Sequence, residues 1–260
     1  MKPIPVYLFL CVLLTLQACT TLVEAPEYAP NPARGAPIEA YSRVLARHVN
    51  ERGEVDFPAL ARDRADLDHY VAYVARTPAH RFATRNERLA HYVNSYNALS
   101  MYNVLEKGIP ETHAGLAKVR FFYLSKLVIA NRRMSLYQYE NDVIRPLCDP
   151  RVHFALNCSA VGCPILPRTP FTGRDLGAEL DREARRFFAE ARNLKVAHDS
   201  RVVYLSELLD FYREDFLTAA TPSLIAYVNQ YLPEPLPLDY EVRFIDYDWT
   251  IANSRRVSVR

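Results

Sequence analysis

One stretch, residues 151–164, constrains the fold of this chain more than any other. It reads Arg-Val-His-Phe-Ala-Leu-Asn-Cys-Ser-Ala-Val-Gly-Cys-Pro, a short apolar run with a histidine that leads into a cysteine loop closed by proline. Short apolar runs bounded by turn residues are typical of buried strands, so we predict a central strand over residues 152–157. Because a thiol, an imidazole and a tight turn come together here, we also expect this stretch to lie at the functional site.

The elements around this stretch are mainly helical. Apolar residues recur at helical spacing over residues 38–49, and Thr84 with Glu87 forms a capping box that predicts a helix ending at Lys107. A long amphipathic helix is expected from Thr172 onward, and the five or six short strands do not follow a βαβ order. The sequence therefore predicts a mostly helical α+β domain around a small, mainly antiparallel sheet.

The N-terminal residues predict export rather than fold. Lys2 precedes an apolar run too short to span a bilayer, and Leu16-Gln-Ala-Cys19 resembles a bacterial lipobox. We therefore expect a signal peptide over residues 1–18, a palmitate-type lipid on Cys19 and an extended tether over 19–37. The single domain is expected over 38–253, followed by a polar tail over 254–260. This places the protein in the cell envelope, lipid-anchored to the outer membrane and facing the periplasm.

Charge and motifs limit the partners. The chain has 32 Lys and Arg against 30 Asp and Glu, and no basic stripe stands out, so nucleic-acid binding is not expected. No Gly-rich phosphate loop is present and no cofactor is expected. The expected partners are the membrane, through the anchor, and a small-molecule, peptide or glycan ligand.

Several sequence blocks together resemble one family. They are residues 53–57 (Gly-Glu-Val-Asp-Phe), 92–98 (Tyr-Val-Asn-Ser-Tyr-Asn-Ala), 151–158, 162–164 (Gly-Cys-Pro), 205–206 (Leu-Ser), 215–216 (Asp-Phe) and 247–249 (Tyr-Asp-Trp). In this order they resemble the domain-of-unknown-function 547 family, which includes bacterial lipoproteins and plant proteins. The resemblance covers roughly residues 40 to 253 and implies a single domain, but it implies no catalytic assignment.

The cysteines of the domain leave three interpretations open. Cys158 is a candidate nucleophile if His153 serves as its base, although strand alternation would turn these two side chains to opposite faces. In an oxidising compartment, Cys158 and Cys163 could instead form a disulfide that shapes the loop. The regular spacing of Cys148, His153, Cys158 and Cys163 also resembles a zinc ligand set, which a strand geometry disfavours.

The candidate site joins three segments. We predict His153, Cys158 and Asp248 as catalytic residues, with His153 as the base and Asp248 orienting it. The predicted substrate-binding residues are Asn94, Tyr96, Asn97 and Trp249. The element order, with a helix, a strand carrying His153 and a last strand carrying Asp248, resembles papain- and transglutaminase-like folds. The expected function is a hydrolase or acyl-transferase for peptide or envelope material; the alternative is a non-catalytic binding or scaffold domain with a Cys158–Cys163 disulfide.

Overall fold

The structure, a computed structural model, describes residues 20–27 and 35–255. Helices α1 to α10 span Pro37–His48, Phe57–Arg62, Ala65–Arg76, Arg85–Glu106, Leu116–Val119, Leu136–Tyr139, Leu176–Phe188, Leu208–Phe211, Arg213–Phe216 and Leu224–Val228. Two of them continue directly as π-helical turns, α5 over Arg120–Leu124 and α6 over Glu140–Ile144. Strands β1 to β6 span Thr21–Val23, Ser125–Ile129, Arg132–Met134, Leu194–Ala197, Val202–Ser206 and Glu241–Ile245. This is a mostly helical α+β domain, as predicted.

The strands form two small sheets rather than one. In the first, β2 is central, parallel to β1 and antiparallel to β3. In the second, β5 is central, antiparallel to β4 and parallel to β6. Each sheet thus combines one parallel and one antiparallel pairing, so the expected mainly antiparallel sheet is replaced by two mixed ones. Strands β4 and β5 form an antiparallel hairpin, and β6 ends at Ile245, so the expected last strand does not extend to Asp248.

Helix α4 is the central element of the domain. Thr84 caps it by accepting from the Glu87 amide, as the capping box predicts, and the helix is buried over most of its length. It lies within the larger of two apolar clusters, which α1, α3 and the first sheet also line. The smaller cluster is built from α7, β5 and the helices that follow it. Residues 150–154 join the two clusters, because Val152 lies in the first and Phe154 in the second.

The predicted strand around His153 is not formed. Residues Pro150–Phe154 are a 3₁₀ helix, with Pro150 at its start and Asp149 accepting from the Arg151 amide. Proline is favoured at the first helical position and an aspartate before it caps the exposed amides, so these two residues decide the local structure. The apolar run cannot by itself distinguish a buried strand from a buried helical turn. The strand-alternation argument that separated His153 from Cys158 therefore does not apply.

The N-terminal segment enters the domain earlier than expected. Strand β1 lies within the predicted tether and pairs with β2 through Thr21 opposite Ser125, while Val23 is buried and the Glu24 carbonyl accepts from the Tyr102 hydroxyl. Residues 21–23 therefore belong to the folded domain. The predicted signal peptide and the lipid-bearing Cys19 lie outside the described residues. No helix in the described ranges is both long and apolar enough to cross a membrane.

Candidate functional site

A small cavity of about 50 Å³ lies where the two clusters meet. It is largely apolar, but acidic, imidazole, thiol and phenol groups all reach its wall. The lining residues are Tyr96, Phe122, Glu140, His153, Leu156, Cys158, Cys163, Leu208, Phe211, Tyr212, Tyr247 and Trp249. The cavity thus brings together His153, Cys158, Tyr96 and Trp249 of the predicted site.

His153 is oriented by an acid that the sequence analysis did not select. Its Nε2 lies 2.7 Å from Oδ2 of Asp215, on α9, and its ring stacks on Tyr212 with centroids 3.9 Å apart. Arg145 holds the same carboxylate through two bonds of 2.7 Å. Burial raises the pKa of Asp215, but the bonds from His153 and Arg145 outweigh it and hold that pKa well below its usual range. The ionised carboxylate can only accept, so Nε2 of His153 carries the donated proton.

The other ring nitrogen of His153, Nδ1, is not held by the Asp215 carboxylate. Nδ1 is buried without a hydrogen-bond partner, and its closest acidic neighbour is Oε1 of Glu140 at 3.9 Å. The Glu140 carboxylate accepts from the Tyr96 hydroxyl at 3.1 Å. With its proton on Nε2, the neutral ring presents a lone pair at Nδ1, which is the form that a general base requires.

The two buried cysteines form another part of the wall. Their Sγ atoms are 3.0 Å apart, and Sγ of Cys163 also accepts from the Cys158 amide at 3.1 Å and from the Tyr247 hydroxyl at 3.0 Å. Burial raises the pKa of Cys163, but these donors outweigh it and lower the pKa. Donation to Cys163, together with burial, raises the pKa of Cys158. The surroundings of Cys163, rather than those of the predicted Cys158, therefore favour a thiolate.

The predicted Cys158–Cys163 disulfide is not formed. A covalent S–S bond is about 2.05 Å long, whereas these sulfur atoms are 3.0 Å apart, and both cysteines are free thiols. The loop between them is held by amides instead. Asn157 donates from Nδ2 to the Pro164 carbonyl at 2.8 Å and accepts at Oδ1 from the Ser159 amide at 2.7 Å. A cross-link is therefore not required to shape this loop.

Tyr247 reaches the thiols because two backbone segments approach closely. The amides of Val161 and Gly162 donate to the carbonyls of Thr250 and Asp248, each at 2.8 Å. A Cβ on Gly162 would come within 2.8 Å of the Tyr247 ring and 2.9 Å of the Asp248 amide, so a larger residue would displace the phenol. The Gly-Cys-Pro block thus owes its glycine to the contact that brings Tyr247 to Cys163.

An outer vestibule of about 290 Å³ adjoins the cavity. The two share Phe122, Glu140, Phe211, Tyr212 and Trp249 in their walls, and the vestibule adds Lys118, Tyr123, Tyr137, Asn141 and Arg145. The ammonium of Lys118 lies 3.9 Å from the centroid of the Trp249 ring. The approach to the cavity is therefore lined by aromatic faces with a cation resting on one of them.

Asn94 and Asn97 do not reach the cavity. Asn94 exchanges two hydrogen bonds with the backbone of Phe171, at 2.8 and 2.9 Å. Asn97 donates to the Ala155 carbonyl at 2.9 Å and accepts from the Asn157 amide at 2.7 Å. Each buried amide replaces a backbone partner and ties a loop to α4, so the prediction that these two residues bind substrate is corrected to a structural role. Tyr96, which lies between them in the sequence, is the one that faces the cavity.

Asp248 does not orient His153. It is exposed, and its Oδ1 accepts from the Thr250 amide at 2.9 Å within its own turn. Asp215, and not Asp248, is the acid that bonds to His153. Cys148 is likewise exposed, whereas Cys158 and Cys163 are buried. Over residues 20–27 and 35–255, no group of three His, Cys, Asp or Glu side chains is arranged to hold a metal ion.

Five polar residues of the site escaped the sequence analysis: Glu140, Arg145, Tyr212, Asp215 and Tyr247. Two of them stand in blocks that carry the family resemblance, Asp215-Phe216 and Tyr247-Asp-Trp249. That signal was sufficient to select them as candidates. The other three stand in helical segments whose sequences resemble ordinary amphipathic turns, and only the fold brings them to His153.

Comparison with known proteins identifies one family. Residues 80–188 match the family described as "Protein of unknown function, DUF547". This stretch includes α4, Glu140, His153 and both buried cysteines, whereas Asp215, Tyr247 and Trp249 lie beyond it. No curated protein and no solved structure matches the chain. The resemblance to papain- and transglutaminase-like folds therefore stays a prediction.

Proposed function

We propose that this chain, whose residues 80–188 match the DUF547 family, is a thiol-dependent acyl-transfer enzyme, either a hydrolase or an acyl-transferase. The observation that carries the proposal is the setting of Cys163 Sγ. It accepts from an amide and a phenol in the wall of the cavity that the unpartnered Nδ1 of His153 also lines. A nucleophilic thiol needs stabilisation of its anion, a base and an acid that orients the base. The Cys158 amide with the Tyr247 hydroxyl, His153, and Asp215 supply these three functions to Cys163.

The reaction follows from these roles. Nδ1 of His153 accepts the Cys163 thiol proton, and Sγ attacks the carbonyl carbon of an ester or amide. The C–O or C–N bond then breaks, and the proton on Nδ1 passes to the leaving alcohol or amine, which leaves an acyl thioester on Cys163. Water or an acceptor amine attacks the thioester and gives its proton to Nδ1. The released Sγ finally recovers that proton as a thiol.

The vestibule supports a substrate with a flat or apolar part. Phe211, Tyr212 and Trp249 offer ring faces between solvent and the cavity, and the cavity itself has room for little more than the reacting group. Peptide and envelope material of the kind expected from the sequence would place its side groups in the vestibule and its carbonyl at Cys163.

The thiol chemistry is tested with 4-nitrophenyl acetate in a Cys148→Ser background, which removes the exposed thiol. We expect a burst of 4-nitrophenolate stoichiometric with the protein and an acetyl group mapped by peptide mass to Cys163. Cys163→Ser should abolish both, and His153→Gln should slow the burst. The matched control is Cys158→Ser, which keeps the amide and phenol donors to Cys163 and should retain the acetyl group there.

Two results would contradict this assignment. An acetyl group found on Cys158 in the background protein would exchange the roles of the two thiols. A missing burst in a correctly folded protein would reject thiol chemistry and favour a binding domain. The vestibule favours that second function, because its volume is several times that of the cavity and its walls suit a glycan or peptide. A saturable change in Trp249 fluorescence with soluble cell-wall fragments, without turnover, would establish it.

The lipid anchor is a further part of the proposal. The sequence Leu16-Gln-Ala-Cys19, after a short apolar run, supports acylation of Cys19 and attachment to the envelope on the periplasmic side of the outer membrane. Cells given an alkyne-tagged palmitate should incorporate the tag into this protein, and Cys19→Ala should prevent it. Incorporation that persists in Cys19→Ala would place the lipid elsewhere or reject the anchor.

A further inference from the structure

The mouth of the vestibule carries a concentrated apolar surface. Of the eight large apolar side chains that are exposed among the described residues, Tyr123, Tyr137 and Phe211 line the vestibule, and Leu116 and Val119 lie on the helical segment that carries Tyr123. Leu116 is 75% exposed, and the rings of Tyr123 and Tyr137 lie 4.5 Å apart. We name these five residues the rim. Exposed apolar residues scattered singly need no explanation, but a cluster at the entrance of a cavity marks an interaction surface.

Three residues of the rim share one helical stripe. Leu116, Val119 and Tyr123 belong to the continuous segment of α5 and its π-helical extension, at spacings of three and four. Phe121 of the same segment is buried and Phe122 lines the cavity, so the segment is fixed by its inner face. The three side chains of its outer stripe remain exposed to solvent in the described chain. The stripe is thus held rigidly, with its apolar side outward.

The charge of residues 112–139, which include four of the five rim residues, has one sign. Between residues 112 and 139 the chain contains no Asp or Glu, whereas the whole protein is nearly balanced at +2. The same region contains Lys118, Arg120, Lys126, Arg132 and Arg133. Basic side chains around exposed Leu and Tyr are the composition of a surface that meets anionic lipid headgroups, since the cations pair with phosphate and the rings enter the interfacial layer.

The N-terminus enters the fold beside the rim. Thr21 pairs in parallel with Ser125, which directly follows the π-helical turn that ends at Leu124. The chain before Thr21 therefore joins the domain at the end of the rim helix, and 20 residues precede it. Any attachment of those residues to a membrane would hold the rim close to the same surface, where even a weak lipid affinity is multiplied by effective concentration.

We infer that the rim docks on an anionic lipid surface and turns the mouth of the vestibule towards the membrane. The occupant of the apolar patch is the bilayer interface itself, with Leu116 and Val119 inserted among the headgroups and Tyr123, Tyr137 and Phe211 at their level. A substrate that is embedded in or attached to the membrane would then reach the cavity without leaving the surface. The inference does not require that Cys163 be a nucleophile.

The test uses the one tryptophan of the chain, Trp249, which lines the vestibule. The chain from Cys19 onward with Cys19→Ala contains every described residue and cannot be acylated. It is mixed with vesicles of phosphatidylethanolamine and phosphatidylglycerol whose acyl chains are brominated, and quenching of Trp249 is followed. We expect saturable quenching, and about tenfold weaker vesicle affinity for Leu116→Glu, because a leucine that would insert among the headgroups is replaced by a charge.

The matched control is Leu238→Glu, which changes another highly exposed leucine outside the rim and should leave the affinity unchanged. Both positions are exposed, so circular dichroism and thermal unfolding should match the parent protein. Vesicles without phosphatidylglycerol should bind more weakly. Equal affinities of the two variants, or no quenching by anionic vesicles at all, would overturn the inference. Because acylation of Cys163 is measured without vesicles, failure of one proposal leaves the other intact.

Discussion

His153 and His91 are both buried imidazoles that line a cavity and pack against aromatic rings, but their surroundings make them chemically different. His153 stacks on Tyr212 and bonds to the Asp215 carboxylate at 2.7 Å. His91 stacks on Phe82, with centroids 4.4 Å apart, in a cavity of about 430 Å³, and burial lowers its pKa to about 4. Aromatic burial alone makes an imidazole neutral and inert near pH 7. The carboxylate with its guanidinium keeps the other ring oriented and one nitrogen usable as a base.

The largest expected effect comes from making His153 resemble His91. In Asp215→Asn, the amide removes the charge that fixes the proton on Nε2, and Nδ1 no longer presents its lone pair reliably. We expect turnover of 4-nitrophenyl acetate to fall by about a thousandfold. The measurement is steady-state 4-nitrophenolate release at neutral pH, with acylation and deacylation separated by the burst.

The control for this substitution is Asp210→Asn, on the neighbouring helix α8. Asp210 pairs with Arg213 at the surface, where both side chains are nearly half exposed, so its loss should change neither turnover nor stability appreciably. Turnover that survives Asp215→Asn would show that His153 is a structural imidazole like His91.

The two asparagines of α4 provide a second comparison of the same two regions. Asn97 holds the backbone of Ala155 and Asn157, next to His153, and Asn94 holds Phe171, in the wall of the His91 cavity. Each alanine substitution leaves a buried carbonyl and a buried amide unpaired, which should lower the free energy of unfolding by about 3 kcal/mol. Urea denaturation measures this loss.

The rate of Cys163 acylation should differ between these two variants, although their free energies of unfolding should be similar. Asn97→Ala loosens the loop that carries the thiols and should slow the acylation of Cys163, whereas Asn94→Ala should leave its rate unchanged in the folded protein. Equal slowing by both would mean that acylation depends on α4 as a whole and not on the loop.

A third prediction concerns pH. Because burial lowers the folded pKa of His91 to about 4, the unfolded chain binds more protons than the folded one between pH 6.5 and 4. Stability should therefore fall as the pH falls through this window, by about 2 kcal/mol between pH 7 and pH 5 for His91. His113, whose pKa burial also lowers to about 4, adds a loss of the same sign.

Replacement of His91 tests this contribution directly. His91→Phe keeps a ring on Phe82 but binds no proton, so urea denaturation at pH 7 and pH 5 should show a smaller difference than in the parent protein. His198→Phe, at an exposed histidine, should leave the difference unchanged. A difference that is the same in His91→Phe and in the parent would show that His91 titrates normally.

The two regions were also predicted with different success. The capping box at Thr84 and the helical spacing after it defined α4 correctly, because a local motif specifies a helix start. The surroundings of His153 were predicted wrongly, because Pro150 and Asp149 direct the chain into a 3₁₀ turn that an apolar run of five residues does not reveal. Asp215 follows His153 by 62 positions, and its pairing depends on how α9 packs, which no local pattern records. Tyr96, His153, Cys158 and Trp249, which the sequence placed in one candidate site, line one cavity, and all four stand in blocks that carry the family resemblance.

The smallest expected effect is that of Asp248→Asn, which changes the acid that the sequence analysis selected to orient His153. Its exposed carboxylate accepts one bond, from the Thr250 amide, and the Oδ1 atom of asparagine can accept the same bond. We therefore expect stability within about 0.5 kcal/mol of the parent and unchanged turnover, measured beside Asp215→Asn in the same assay. A loss of turnover comparable with that of Asp215→Asn would mean that the 248 side chain reaches the reacting groups during catalysis. In that case the base would be oriented from the segment that follows β6 as well as from α9.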